Sequence, residues 1–167
     1  GIRYRMTAAP MLVHCCHCTW CQRETGSAFV LNAMVEADCV GVLAGSPLVI
    51  DTPSLSGRGQ KISRCPTCYV ALWSNYPGGG PAIRFVRVGT LEEPARFPPD
   101  VHIYTSTKQP WVVLPAGARV FSEFYDPKQE WPAASLARYK AARERCDSTT
   151  WMVMKSARRH ISSRETL

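Results

Sequence analysis

The hydrophobic pattern changes character once along the chain. Up to Trp111 it consists of short apolar runs broken by glycine and proline. The segments Phe29–Val35, Pro47–Ile50, Tyr69–Trp73, Ala82–Val88, Val101–Thr105 and Trp111–Leu114 are rich in β-branched and aromatic residues and read as strands. In Ala82–Val88 the apolar Ile83, Phe85 and Val86 alternate imperfectly with Arg84 and Arg87, which predicts a strand with one wet face. Gly45-Ser46-Pro47, Ser56-Gly57-Arg58-Gly59 and Pro77-Gly78-Gly79-Gly80-Pro81 supply turn chemistry between the runs. The expected fold class is all-β, short antiparallel strands in two packed sheets. Helix-forming sequence follows only after Trp131-Pro132. Ala133–Arg143 has high helix propensity but thin amphipathicity, as in a surface helix docked by a few residues. Trp151–Met154 reads as a short strand or a sticky contact. The domain reading is therefore 1–132 as the β domain and 133–167 as a basic helical extension.

The 167 residues are enough to bury a core without disulfide staples, and no apolar run is long enough to cross a membrane. The net charge of +7 is concentrated in the tail, where residues 133–167 hold eight basic and three acidic side chains. That distribution fits a solvated helix face, not a nucleic-acid surface. The first residues, Gly1–Met6, read like the middle of a strand, so the expectation is that sequence precedes them. No leader is visible, and the expected compartment is cytoplasmic.

Eight cysteines carry the chemistry: Cys15, Cys16, Cys18, Cys21, Cys39, Cys65, Cys68 and Cys146. They are clumped, which argues against a disulfide framework. Two Cys-x-x-Cys pairs, Cys18/Cys21 and Cys65/Cys68, lie forty-odd residues apart, and Cys16 extends the first to Cys-x-Cys-x-x-Cys. This spacing lets two thiolates of one turn meet one zinc ion. Cys65-Pro66-Thr67-Cys68 as a redox pair would need a thioredoxin-like βαβ setting that the pattern lacks. Five motif cysteines leave two partitions open. Either Cys16, Cys18 and Cys21 form an open site beside an incomplete one, or Cys18, Cys21, Cys65 and Cys68 form one closed site with Cys16 spare. His14 and His17 are possible substitutes, though histidines beside cysteine clusters more often support ligands than act as them. Cys15 is expected to point away, and Cys39 and Cys146 to be isolated thiols. The first cluster belongs on a loop or the first turn of a short helix ended by Thr25-Gly26-Ser27.

The segment Cys16-His17-Cys18-Thr19-Trp20-Cys21-Gln22-Arg23-Glu24-Thr25-Gly26-Ser27-Ala28-Phe29 resembles the signature of the glutathione-dependent formaldehyde-activating enzymes, which the centromere protein V group shares. Cys65-Pro66-Thr67-Cys68, Val101-His102-Ile103-Tyr104 with Lys108-Gln109-Pro110-Trp111, and Tyr125–Pro132 resemble further family segments. The resemblance implies a β-tent fold, a catalytic zinc on Cys16, Cys18 and Cys21, and a structural zinc to which Cys65 and Cys68 contribute with an upstream Cys-x-Cys. That upstream pair is absent from this sequence, and Tyr69 stands where family members usually carry glycine. The implied activity is that of a carbon–sulfur lyase adding a thiol, glutathione, to an aldehyde such as formaldehyde to give S-hydroxymethylglutathione. Three thiolates on a divalent ion suit capture of a fourth thiolate better than generation of hydroxide. Arg23, Lys61, Arg64 and Lys108 are candidate cations for anionic glutathione, and His102 a candidate proton shuttle or a satisfied strand histidine. The alternative functions are a non-catalytic zinc-stabilised binding module and a thiol-based sensor.

Overall fold

The computed structural model describes the backbone through Ser162 and side chains through Asp147. Nine strands, three α-helices and several 3-10 turns follow one another: β1 (Arg3–Met6), β2 (Leu12–Cys16), α1 (Thr19–Thr25), β3 (Val30–Glu36), β4 (Val40–Ala44), β5 (Leu48–Thr52), β6 (Gln60–Arg64), β7 (Ala71–Asn75), β8 (Ile83–Arg87), β9 (Val101–Ile103), α2 (Pro127–Glu130) and α3 (Ala133–Ser162). Seven strands form one sheet in the order β5-β6-β7-β8-β3-β2-β9, and β1 pairs with β4 in a second sheet of two. All pairings between these strands are antiparallel except β2 with β9, which run parallel. The all-β expectation with a helical C-terminal extension is met.

The central strands of the large sheet are buried on both faces, successive side chains pointing to opposite sides, while the edge strand β5 is exposed. Met34, Ile83 and Val101 pack on one face, which α3 covers through Tyr139 and Ala142. Ala33, Val35, Trp73 and Val86 pack on the other, which β1 covers through Tyr4 and Met6. Tyr4 meets Trp73 edge to face with centroids 5.4 Å apart. The helix is docked by polar contacts as well: Ser135 Oγ donates to the Met11 carbonyl at 2.6 Å, and Arg138 pairs with Glu36 at 2.6 Å. The Arg138 guanidinium holds the Glu36 carboxyl below its usual value. This contact therefore stabilises the docked helix above the ordinary carboxylate range and is lost as pH falls through the lowered value.

Three expectations are corrected. The strand Ala82–Val88 has no wet face: Arg87 is only 5% exposed and Arg84 lies over the Trp73 ring at 4.7 Å. An interior strand flanked by β7 and β3 and covered on both sides leaves nowhere for a solvent face. Trp111–Leu114 is irregular and exposed, because no neighbouring strand presents an edge to it. Trp151–Met154 continues α3, so the strand reading fails, and the expected sticky contact of those side chains lies outside the described residues.

The knuckle of Cys65 and Cys68 turns between β6 and β7. The Cys65 N–H donates to Val70 O at 3.0 Å, and the Tyr69 N–H to Cys65 O at 2.9 Å. Closing this turn puts Tyr69 at φ 59°, in the left-handed region where a Cβ is strained and glycine is not. Replacing Tyr69 with glycine is expected to stabilise the protein by about 1 kcal/mol in urea unfolding, since relief of strain exceeds the added backbone entropy of the unfolded chain. No gain, or a loss, would show that the tyrosine's contacts outweigh its backbone cost.

Candidate metal centre

Cys16, the last residue of β2, shares a sheet face with His14, because the two are two positions apart on the strand. Cys18 then caps α1: its backbone is extended at φ −66° and ψ 153°, and its sulfur accepts the Cys21 N–H at 3.4 Å. One helical turn brings Cys21 back beside Cys18. Gly26 ends the helix in the left-handed conformation at φ 63°, and its N–H caps Gln22 O at 2.9 Å. The three sulfurs are buried and lie within 4.8 Å of one another. Sulfurs on a tetrahedral zinc at 2.3 Å stand about 3.8 Å apart, so the trio fits such an ion with one direction left over.

Electrostatics favour a cation there. Hydrogen bonds from Cys16 and Cys21, then backbone N–H groups of Cys21 and Trp20, draw Cys18 down to about 3. Cys16, hydrogen-bonded to Cys18 and Cys21 and buried, is held far above the ordinary thiol value. For Cys21 the hydrogen bond with Cys16 lowers the value, but that with Cys18 and burial outweigh it and push it up to about 12. The three sulfurs thus share one negative charge at neutral pH, and a divalent cation would displace the remaining two protons.

The loop that presents the trio is clamped from β9 and the segment after it. The His17 N–H donates to Ile103 O at 3.0 Å. The His17 carbonyl accepts Gln22 Nε2 at 2.6 Å and Thr107 Oγ1 at 3.0 Å. Gln109 Nε2 locks Gln22 by donating to its Oε1 at 2.7 Å. On the other face of β2, Cys15, His17 and His102 form a second close group of potential ligands. Here His17 Nε2 is 3.1 Å from His102 Nδ1 and 3.5 Å from Cys15 Sγ. Burial lowers His17 to about 4 and lowers His102 as well, so both rings are neutral and bond each other. The group pins the loop to β9. His102 is the satisfied strand histidine of the two readings, facing away from the trio. Cys15 also points away, its thiol pushed up to about 12 by burial.

His14 sits on the trio's face. Trp131 Nε1–H donates to Tyr125 Oη at 2.8 Å, and Tyr125 Oη lies 2.7 Å from His14 Nε2. Trp131 can only donate, so the Tyr125 proton is available to His14 Nε2. Burial lowers His14 to about 4, and the neutral ring then carries its hydrogen on Nδ1, which is buried without a protein partner.

Arg87 carries the other informative charge. It bonds Asn32 Oδ1 through one terminal nitrogen and Ser74 Oγ through the other at 2.9 Å. It makes no ion pair with a carboxylate among the described residues, and its charge reaches Cys21. A buried guanidinium opposed only by neutral groups is costly. Three thiolates around a divalent ion would carry a net charge of about −1, which the Arg87 charge would offset. The four cations anticipated from sequence are otherwise engaged: Arg23 lies over the Trp20 ring, Lys61 pairs with Asp51, Arg64 with Glu24, and Lys108 donates to Gln109 O and Val112 O.

Cys65 is buried and Cys68 exposed. Backbone N–H groups of Cys68 and Thr67 pull Cys65 down to about 6, and the Ile2 N–H also reaches it. Among the described residues no third ligand joins this pair in a close group.

The trio opens onto a cavity of about 420 Å³ whose walls are largely apolar and include several aromatic rings. The fold and site define a mostly β protein whose buried three-cysteine group, facing such a cavity, could hold a metal ion. The family of glutathione-dependent formaldehyde-activating enzymes matches residues 1–107, and the chain belongs to it. Membership carries a formaldehyde-activating or related thiol–aldehyde function. A Rhodobacter sphaeroides protein of known crystal structure is similar at 16% identity and a TM-score of 0.41, over 72% of this chain and 89% of that one. Among curated proteins there is no match.

Replacing Arg87 with methionine is expected to lower zinc affinity at least about ten-fold in chelator competition, with Arg87→Lys in between. Unchanged affinity in a variant that still unfolds cooperatively would remove Arg87 from the charge balance of the site.

Proposed function

We propose that this protein is a zinc-dependent carbon–sulfur lyase that joins a thiol, glutathione, to an aldehyde such as formaldehyde, giving S-hydroxymethylglutathione from that pair. Cys16, Cys18 and Cys21 are the proposed ligands of the catalytic ion. Cys65 and Cys68 are the proposed share of a second, structural set. A cytoplasmic setting, in which thiols stay reduced, suits both. The observation that carries the reading is that the trio lies in a cavity wall and, among the described residues, no fourth cysteine joins its close group.

Zinc in this set supplies the positive charge that keeps a substrate thiol ionised at neutral pH. The chain's residues do the rest. Gln22, Thr107 and Gln109 hold the His17 peptide, and with it the positions of Cys16 and Cys18. The Arg87 charge offsets the negative charge that grows when a further thiolate arrives. The aromatic walls exclude water, which strengthens these interactions. The thiol proton leaves to solvent on ionisation. A sulfur lone pair forms the carbon–sulfur bond, the carbonyl π pair moves onto oxygen, and that oxygen takes a proton from solvent. His14 lines the cavity, and its Nδ1–H, buried and unpartnered at rest, is the proposed donor to the oxygen once a shift of the ring exposes it. Tyr125 positions His14 by fixing its tautomer.

Interconversion of glutathione plus formaldehyde with their adduct is expected to exceed the spontaneous rate and to vanish, together with one equivalent of zinc, in Cys18→Ser. His14→Gln is expected to keep its zinc while kcat/KM falls about 100-fold. Zinc bound with no thiol–aldehyde pair accelerated would overturn the lyase reading.

A further inference from the structure

The cavity is far too large and too apolar for formaldehyde alone. Its volume of about 420 Å³ falls in the range that encloses whole organic ligands rather than a one-carbon molecule. Trp20, Tyr76, Phe85, Tyr104, Phe124 and Trp131 supply aromatic wall. Several are held in fixed mutual orientation: Tyr76 meets Phe85 edge to face at 4.9 Å, and Phe124 stacks on Tyr125 at 4.8 Å with 10° between planes. Gly79 also lines the cavity and packs tightly on buried Ile83, whose Cβ would stand 2.7 Å from a Cβ there.

Of the charged residue types among the described residues, Arg58 alone lines the cavity, and it belongs to the exposed turn between β5 and β6. A peptide thiol with two carboxylates and an ammonium group would have to strip those charges to enter such walls, a large desolvation cost. It can keep them at the mouth, beside Arg58, and send in only its sulfur. The aromatic depth is then left to the other reactant. Polar side chains also line the cavity, His14 and Asn32 among them, so a carbonyl oxygen can find a hydrogen-bond partner there.

From this we infer that the aldehyde handled at this site carries an aromatic or similarly extended apolar substituent, which the ring-lined cavity encloses. The inference rests on the lyase reading for its chemistry but on the cavity for its ligand class. The reaction balances as for formaldehyde: the new carbon–sulfur bond forms, the carbonyl π bond opens, and the thiol hydrogen is replaced by one on oxygen, giving a thiohemiacetal.

The test has a binding arm and a rate arm, both on the zinc-loaded full chain. In the first, cinnamyl alcohol, which cannot form the adduct, is titrated while tryptophan fluorescence is followed. Saturable quenching is expected, weakened at least ten-fold in Phe124→Ala, whose thermal unfolding is measured alongside. In the second, glutathione with 3-phenylpropanal, glutathione with formaldehyde, and benzyl thiol with formaldehyde are compared, each corrected for its spontaneous rate. The expected order places 3-phenylpropanal, which has no conjugated alkene to divert the thiol, at least ten-fold above formaldehyde in kcat/KM with glutathione. No binding of cinnamyl alcohol overturns the inference even if formaldehyde turnover is found. Preference for benzyl thiol over 3-phenylpropanal also overturns it, because the cavity then serves the thiol. Binding without turnover of any pair upholds the ligand class and overturns the lyase reading instead.

Discussion

Strand β2 is hydrogen-bonded on both edges, antiparallel to β3 and parallel to β9, and its two-residue alternation organises the site. His14 and Cys16 project to one face, Val13 and Cys15 to the other. The parallel register sets Cys16 beside Ile103 and Cys15 beside His102, so each face of β2 meets the matching face of β9. A shift of one residue would exchange the two faces and send Cys16 away from Cys18 and Cys21. The His17–His102 contact and the clamp on the His17 carbonyl oppose such a shift from the side away from the trio. The cysteine cluster is thus as well ordered as the strand pairing that carries it.

Charge is the second constraint. The site face holds one buried guanidinium and three sulfurs, and its carboxylates are elsewhere: Glu24 faces Arg64 and Glu36 faces Arg138. Arg87 and the trio therefore have each other as counter-charges. This arrangement suits a metal set of net charge about −1 and tolerates a further thiolate better than an uncompensated site would. The Asn32 and Ser74 contacts hold the guanidinium in place without neutralising it. Around this charged floor the walls are aromatic, so electrostatic effects act at short range and little screened.

What could be read from the chain was local. The Cys-x-Cys-x-x-Cys spacing, the short helix ended by Gly26, the strand segments and the strain-prone Tyr69 are all consequences of residues within a few positions of one another. Arg87 was misread as a solvent-facing strand residue because alternation says which residues share a face but not whether that face is covered. The role of His14 was visible only in part: its spacing from Cys16 puts both on one side, but the Tyr125 and Trp131 contacts come from more than a hundred residues away. The cations closest to the motifs in sequence turned out to be engaged elsewhere, since sequence proximity does not set which surface a long side chain covers.

By itself, then, the amino-acid sequence determined the ligand types, their spacing, the family signature and the all-β class, because those depend on bond geometry and short-range periodicity. Tertiary structure chose between the two partitions that spacing left open, in favour of the close group the resemblance implied, Cys16 with Cys18 and Cys21; it alone decided that a buried arginine faces that group and that aromatic residues from widely separated segments line one cavity. Those are outcomes of strand order and of burial on both faces of a sheet. Such outcomes arise from packing between distant parts of the chain, which no local pattern encodes.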